Sequence, residues 1–314
     1  MTQYILGIDI GTSGTKAMLL TTSGEVVAQK KDNYSFDTPY PGWAEANALD
    51  WLNAVTSLIR TLASHVDDVD IVAIGIDGLY GGSGITVDAS GQVIGPALIC
   101  MDRRATKETE EVKKLISKSE LISVTANGAD PYYGYTKLMW LKKNKPNLYA
   151  KTDKFLPPES YVISELTGEI GINYSAAGNL GGVFDINKGS WSPKLIKKLN
   201  LDLDKLPQKF VTSTEPAGYI LKTWAERLGL KTGTPVFNTG VDVGPATVGT
   251  GILEPGQVTV ALGTSMNAAL VTKKPQINKD LIIWPYAYKP QEYYYNFAGA
   301  NTAGATVSYT HLRA

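Results

Sequence analysis

The chain has 314 residues, 43% of them hydrophobic, with 30 Lys and Arg balancing 30 Asp and Glu. That length suits two domains, or one large domain and part of another, and the balanced charge gives no electrostatic reason to expect nucleic acid or an anionic membrane as partner. One cysteine, Cys100, excludes an internal disulfide framework and a multi-cysteine metal site, and two histidines, His65 and His311, leave base catalysis to a carboxylate. The N-terminus runs straight into a strand-like segment with no signal-peptide pattern. No apolar run approaches the ~20 residues of a membrane span, so a soluble, cytoplasmic protein is the expectation.

In chain order, residues 4–10 are apolar and β-prone, 12–14 form a turn, and 17–20 form a second strand. Ser23-Gly24 is a hairpin turn and 25–29 a third strand. This is an antiparallel opening, unlike the strand-helix-strand start of a dinucleotide fold. Asn47 reads as an N-cap with Asp50 in the first turn. Trp51, Leu52, Val55, Leu58, Ile59 and Leu62 then recur at the spacing of one buried helix face. Residues 71–76 read as a buried strand and 78–84 as a glycine-dense loop. Helices are predicted over 104–116, 136–143, 160–166 (stopped at Thr167-Gly168) and 224–228 (stopped at Gly229). Lys142, Lys143 and Lys145 read as a solvated helix end. Residue 236 starts another strand, followed by a glycine-rich stretch to Gly251.

Two distant segments match. Residues 9–19 read D-I-G-T-S-G-T-K-A-M-L and 261–271 read A-L-G-T-S-M-N-A-A-L-V, aligning Gly11, Thr12 and Ser13 with Gly263, Thr264 and Ser265. Both turns join short apolar strands, so one strand-turn-strand device is used twice, and a second domain is expected to begin near residue 247. Such turns offer backbone N–H groups, room for close approach and hydroxyls, which a triphosphate needs. Asp9, just before the first turn, suits Mg²⁺ or its water shell. Lys16 either adds positive charge or points to solvent. A single Gly-Thr-Ser turn is ordinary hairpin chemistry; the pair together with Asp9 carries the nucleotide reading. The P-loop and G-x-G-x-x-G patterns are absent.

The motifs D-I-G-T-S-G-T-K (9–16), P-G-W-A-E (41–45), M-D-R-R (101–104) and L-T-G-E (166–169) occur in one order with T-G-V-D-V-G-P-A-T-V-G-T-G (239–251), E-P-G-Q-V-T-V-A-L-G-T-S (254–265) and N-T-A-G-A (301–305). In that order and spacing the chain resembles the FGGY-type carbohydrate kinases over residues 4 to about 307, and among them the xylulose kinases. The resemblance implies an α/β, ribonuclease H-like fold of the actin-like ATPase type. The expected organisation is a sugar-binding and catalytic domain over 1–246 and the start of a nucleotide-binding domain over 247–307. It implies MgATP-dependent phosphorylation of a sugar or polyol, a ketopentose such as xylulose being the first expectation. Asp242 matches the family's catalytic base and also faces the substrate. Gly11, Thr12, Ser13, Thr15 and Lys16 match the first phosphate turn, Gly263, Thr264 and Ser265 the second, and Asp9 the metal-side carboxylate. The implied partner is a small sugar or polyol, with a homodimer left open.

The sugar side departs from the pattern. Where xylulose kinases carry Gln-Met-His, this chain has Leu79, Tyr80 and Gly81. Tyr80 and Gly81 are expected to face the substrate, Tyr80 offering a hydrogen bond and a stacking face, or packing alone. Cys100 replaces a frequent Trp and makes the site roomier, or is a small buried hydrophobe. Asp102 and Arg104 either border the sugar or cap a helix start. Residues 308–314 are read as a non-native tail, the chain as truncated, and the 314-residue chain alone as inactive for want of an adenine site. The competing readings are an ATPase of the actin or heat-shock chaperone type and a non-catalytic sugar-binding pseudokinase.

Overall fold

The computed structural model describes residues 2–66, 70–79, 82–262, 266–278 and 280–301. Tyr80, Gly81, Gly263, Thr264, Ser265 and the 302–314 segment lie outside the described residues.

Alternation sets the first sheet. In β1 (Tyr4–Ile10), Leu6, Ile8 and Ile10 are buried on one face and Gly7 and Asp9 fall on the other. β2 (Gly14–Thr21) and β3 (Val26–Asn33) continue antiparallel, as the opening turns predict. β4 (Ile71–Gly78) joins the other edge of β1 in parallel. β5 (Gly218–Tyr219) and β6 (Pro235–Val241) complete the order β5-β6-β4-β1-β2-β3, with β6 parallel to β4.

The helix α1 (Ala48–Ala63) covers the apolar face. The Asn47 carboxamide accepts from the Leu49 N–H at 3.2 Å, as the cap reading requires. Trp51, Val55, Leu58, Ile59 and Leu62 are buried in one cluster with Leu6, Ile8, Ile10, Ala17 and Leu19. Each such burial is worth about 1.5–3 kcal/mol, more than intrinsic propensity supplies, so this face holds the helix in place.

A second core is built by α2 (Thr106–Leu115), α3 (Lys118–Thr125), α4 (Gly134–Asn144) and α5 (Pro146–Lys151). α6 (Pro158–Thr167) packs against the first sheet and ends, as predicted, at Gly168, whose φ of 75° is the left-handed conformation a helix end favours. α7 (Tyr174–Leu180), α8 (Pro193–Lys198), α9 (Lys222–Leu228) and α10 (Val243–Gly249) follow. α10 corrects the reading of residues 239–251 as a plain glycine-rich stretch. Its Pro245 is the third helical residue, where a missing N–H goes unneeded.

A second sheet takes β7 (Val258–Leu262), β8 (Met266–Thr272), β9 (Leu281–Pro285) and β10 (Tyr294–Asn301), all antiparallel in the order β7-β8-β10-β9. β7 and β8 pair antiparallel, as β1 and β2 do. Asn127 joins this sheet to the helical core: its carboxamide donates to the Ile283 carbonyl at 2.7 Å and accepts from the Ile283 N–H at 2.9 Å, standing in for a neighbouring strand. Among the described residues no helix is long and apolar enough to cross a membrane.

Candidate active site

The sheet face opposite α1 opens into a cleft of about 990 Å³, lined by Gly7, Asp9, Lys16, Met18, Gly75 and Asp77 from the strands and by Thr239, Asp242, Val243 and Pro245 from the β6–α10 junction. The alternation that buries Leu6 and Ile8 delivers Asp9 here. Register then places Asp9 opposite Lys16 on β2 and opposite Asp77 on β4. Lys16 Nζ lies 3.6 Å from Asp9 Oδ2 with both side chains substantially exposed, a contact of little energetic worth by itself that sets positive charge beside the cleft.

Asp242 sits where β6 passes into α10. Its N–H donates to the Gly78 carbonyl at 3.0 Å, and its Oδ1 accepts from the Val243 N–H at 2.7 Å. Burial pushes its carboxyl up to about 7. The Val243 N–H opposes that shift, the charge of Asp9 adds to it, and Lys16 opposes it. A carboxylate titrating near neutrality is suited to taking a proton from a hydroxyl. The approach to it is fixed by Gly240, at φ 85°, where a Cβ would lie 2.1 Å from Ser175 Oγ and 2.5 Å from Asn173 Oδ1. Ser175 Oγ in turn accepts from the Val241 N–H at 3.1 Å.

Two further acids share this neighbourhood, and reading the sequence missed both. Asp77 Oδ1 is buried without a hydrogen-bond partner. Burial first, then the charges of Asp9, Asp242 and Glu159, push the Asp77 carboxyl well above the usual range. Glu159, in the first turn of α6, is 1% exposed and so close under Gly78 that a Cβ there would meet its Oε2 at 2.6 Å. The alternation that flags Asp9 also flags Asp77, once β4 is registered against β1. Glu159 carries no such signal, because an acid in the first turn of a helix is an ordinary helix start.

The first turn is built for tightness. The Gly11 N–H donates to the Gly14 carbonyl at 3.2 Å, and a Cβ on Gly14 would fall 2.6 Å from the Asp32 carbonyl. Thr12 is half-buried and Ser13 exposed. Thr15 is fully buried. Its hydroxyl is 3.1 Å from that of Tyr34, which donates to the Gly11 carbonyl at 2.7 Å. Thr15 thus braces the turn from behind through Tyr34, which no motif or periodicity singles out.

Asp102 and Arg104 are brought together but do not line the cleft. Asp102 is fully buried and accepts from the Ala44 N–H at 2.7 Å and from the Arg104 N–H and Nε. Arg104 also reaches Glu45 at 2.7 Å and lies 3.7 Å from the Trp43 ring centroid, with Trp140 at 4.9 Å. They do not cap a helix: α2 starts at Thr106 after Ala105, with no side-chain cap. The pair latches the Trp43–Glu45 segment and so ties P-G-W-A-E to M-D-R-R. Arg104→Ala would strand a buried carboxylate and is expected to cost about 3–5 kcal/mol, read as a lower urea midpoint. A midpoint within experimental error of wild type would show the latch to be dispensable. Cys100, partly buried, has its thiol pushed up by burial, with Lys137 opposing and Asp242 adding.

Mg²⁺ in phosphoryl-transfer sites takes one or two carboxylates together with the substrate's phosphates. Asp9, open to the cleft and one residue from the turn strand's end, fits that need.

The family model for the N-terminal domain of the FGGY family of carbohydrate kinases matches residues 4–249. A xylulose kinase from Staphylococcus xylosus is 28% identical over 278 residues, covering 88% of this chain and 57% of the relative. One from Escherichia coli is 32% identical over 261 residues, covering 83% and 52%. A gluconokinase from Bacillus subtilis and a glycerol kinase from Nitratidesulfovibrio vulgaris also match, at lower identity. The crystal structure of xylulose kinase from Rhodospirillum rubrum superimposes with a TM-score of 0.90 at 22% identity, covering 98% of this chain and 62% of that one, which shows a shared fold. The chain spans about half the length of the curated relatives it matches.

Proposed function

The chain belongs to the FGGY family of carbohydrate kinases, and from that premise we propose that it forms the sugar side and the phosphate floor of an ATP-dependent kinase for a small sugar or polyol. The observation that carries this is the cleft in which Asp242, its carboxyl pushed up to about 7 by burial, shares a face with Asp9, Lys16 and the floor of the first sheet. Asp242 takes the proton from the attacking hydroxyl. Gly11, Thr12 and Ser13 offer the turn that cradles phosphate oxygens, and Thr15 keeps that turn in shape. Gly263, Thr264 and Ser265, which follow β7 in the sequence, supply the second phosphate contact. Asp9 holds Mg²⁺, which neutralises phosphate charge when bound, and Lys16 adds to that field. Phosphoryl transfer asks for positioning and charge neutralisation more than covalent chemistry, so this set suffices.

On the sugar side, Tyr80 and Gly81 face the substrate, and Asp102 and Arg104 act on it through the Trp43–Glu45 segment they hold. A ketopentose such as xylulose is the first substrate to try. A proton-accepting carboxylate of this kind is superfluous to an actin-like ATPase, and its retention disfavours a pseudokinase. The domain division near residue 247, cytoplasmic residence and a homodimer belong to the same proposal. The test is mass-spectrometric detection of a phosphorylated sugar when protein expressed from the complete gene meets MgATP and a panel of ketoses, aldonates and polyols. A sugar monophosphate formed from one member supports the reading; ATP consumption with no phosphorylated sugar from any member refutes it.

A further inference from the structure

Register lays a row of charged residues across the cleft face of the first sheet. Asp77 on β4 pairs with Asp9 on β1, Asp9 with Lys16 on β2, and Lys16 with Lys31 on β3. Residues paired across neighbouring strands share a face, and all of these line the cleft. The row is sorted by sign, with both acids on the β4–β1 half and both lysines on the β2–β3 half. The adjoining row on the same face, Gly75, Gly7, Met18 and Gln29, carries no charge. The charge is therefore concentrated in the row next to the first turn.

The lysine half holds a surplus. Lys16 has Asp9 Oδ2 at 3.6 Å, whereas Lys31 makes no ion pair among the described residues. Its sequence neighbour Asp32 pairs with Thr15, which is fully buried behind the turn, so Asp32 falls on the opposite face. Like charges placed directly opposite on neighbouring strands destabilise a sheet, and Lys16 stands directly opposite Lys31. The Lys31 stem also reaches the turn itself: a Cβ on Gly14 would fall 3.0 Å from Lys31 Cε. The bare backbone of Gly14 lets the lysine lie across the strand immediately after Gly11, Thr12 and Ser13.

We propose that Lys31 is a phosphate-binding residue, forming with Lys16 a two-cation clamp on the nucleotide's phosphate oxygens at the first turn. The inference deepens the kinase reading given above and rests on it. An ammonium is a compact point charge with three donors and no acceptor. Its attraction grows with the negative charge of the ligand, so a di- or triphosphate gains from the pair and a neutral sugar does not. The same pairing relieves the repulsion between the two lysines.

The test uses protein from the complete gene as wild type, Lys31→Met, which keeps the stem over Gly14 and removes the charge, and Lys31→Arg, which keeps the charge. Calorimetry with MgADP reads nucleotide binding, and steady-state kinetics read the KM values for ATP and sugar. Lys31→Met is expected to weaken MgADP binding and raise the KM for ATP by about 10-fold, the lower end for a hydrogen bond to a charged group. Its sugar KM and its urea midpoint without nucleotide stay at wild-type values, and Lys31→Arg binds MgADP nearly as wild type does. Unchanged MgADP binding in Lys31→Met overturns the inference and leaves Lys31 an edge-strand lysine that deters strand pairing. Equal weakening in Lys31→Met and Lys31→Arg overturns it too, as does a parallel rise in the sugar KM. Wild-type protein that phosphorylates no sugar, yet binds MgADP about 10-fold more tightly than Lys31→Met, overturns the kinase reading and supports the clamp. Wild-type protein that binds no MgADP overturns both.

Discussion

Asp242→Asn, in protein from the complete gene, is expected to lower kcat by about 10²–10⁴-fold, the range a general base contributes, with sugar affinity little changed. The substitution is nearly isosteric. An asparagine carbonyl still accepts from the Val243 N–H, the bond that orients Asp242 Oδ1 at 2.7 Å, so the junction of β6 and α10 keeps its shape. What is lost is the ability to hold a proton. The pH dependence follows from the same cause. Burial and the charge of Asp9 raise the Asp242 carboxyl to about 7, and only the ionised form accepts the hydroxyl proton. The wild-type kcat/KM is therefore expected to rise as pH increases through about 7 and to level off above it. The residual rate of the variant lacks that rise. A variant within about tenfold of wild type across this range, too small a loss for a general base, would remove Asp242 from its role.

The second large effect concerns stability. Glu159 is 1% exposed. Burial first, and then the charge of Asp242, push its carboxyl from an ordinary 4.5 up to about 8, against bonds from its own backbone N–H and from Ser160. The folded state therefore binds this proton more tightly than the unfolded chain does. The resulting stability is fully present below pH 4.5 and is lost as pH rises through about 8. Glu159→Gln keeps a neutral group of the same shape and has no proton to lose. Between those limits the variant is expected to gain on wild type by about 1.4 kcal/mol per pH unit, reaching a few kcal/mol at pH values above about 8. Urea unfolding of both proteins at a mildly acidic and a mildly alkaline pH reads this directly. A Gln variant that falls further behind wild type on the alkaline side would show that Glu159 is held ionised in the fold.

Both effects trace to one cluster of acids, placed by strand alternation, by the junction of β6 with α10 and by the first turn of α6. Part of that arrangement is legible in the sequence. The alternation of residues 4–10, the Asn47 cap and the glycine-terminated helices are local, and the structure has them where local rules put them. Asp9 and Asp242 stand out because each adjoins glycines and a motif. The remainder depends on pairings between distant stretches. Asp77 lies in the run I-V-A-I-G-I-D-G, which reads as a plain buried strand until β4 is registered on β1. Lys137 looks like its neighbours Lys142 and Lys143, solvated at a helix end, yet it faces three carbonyls in the core. Nothing in one helix's periodicity separates these cases. The α10 helix is hidden for another reason: Gly244, Pro245 and Gly249 lower its propensity, and packing supplies what propensity lacks, with the Thr247 hydroxyl bonded to Tyr295 at 2.7 Å. Asp102 and Arg104 were recognisable as a pair, but their latch on Trp43 needs the fold.

The most direct test of the central claim is ADP release from MgATP by protein from the complete gene, wild type beside Asp242→Asn, with and without each sugar of the panel. The account predicts release that depends on a particular sugar in wild type and collapses in the variant. Release that ignores every sugar and survives the asparagine substitution would contradict it, and would make the cleft that of an ATPase.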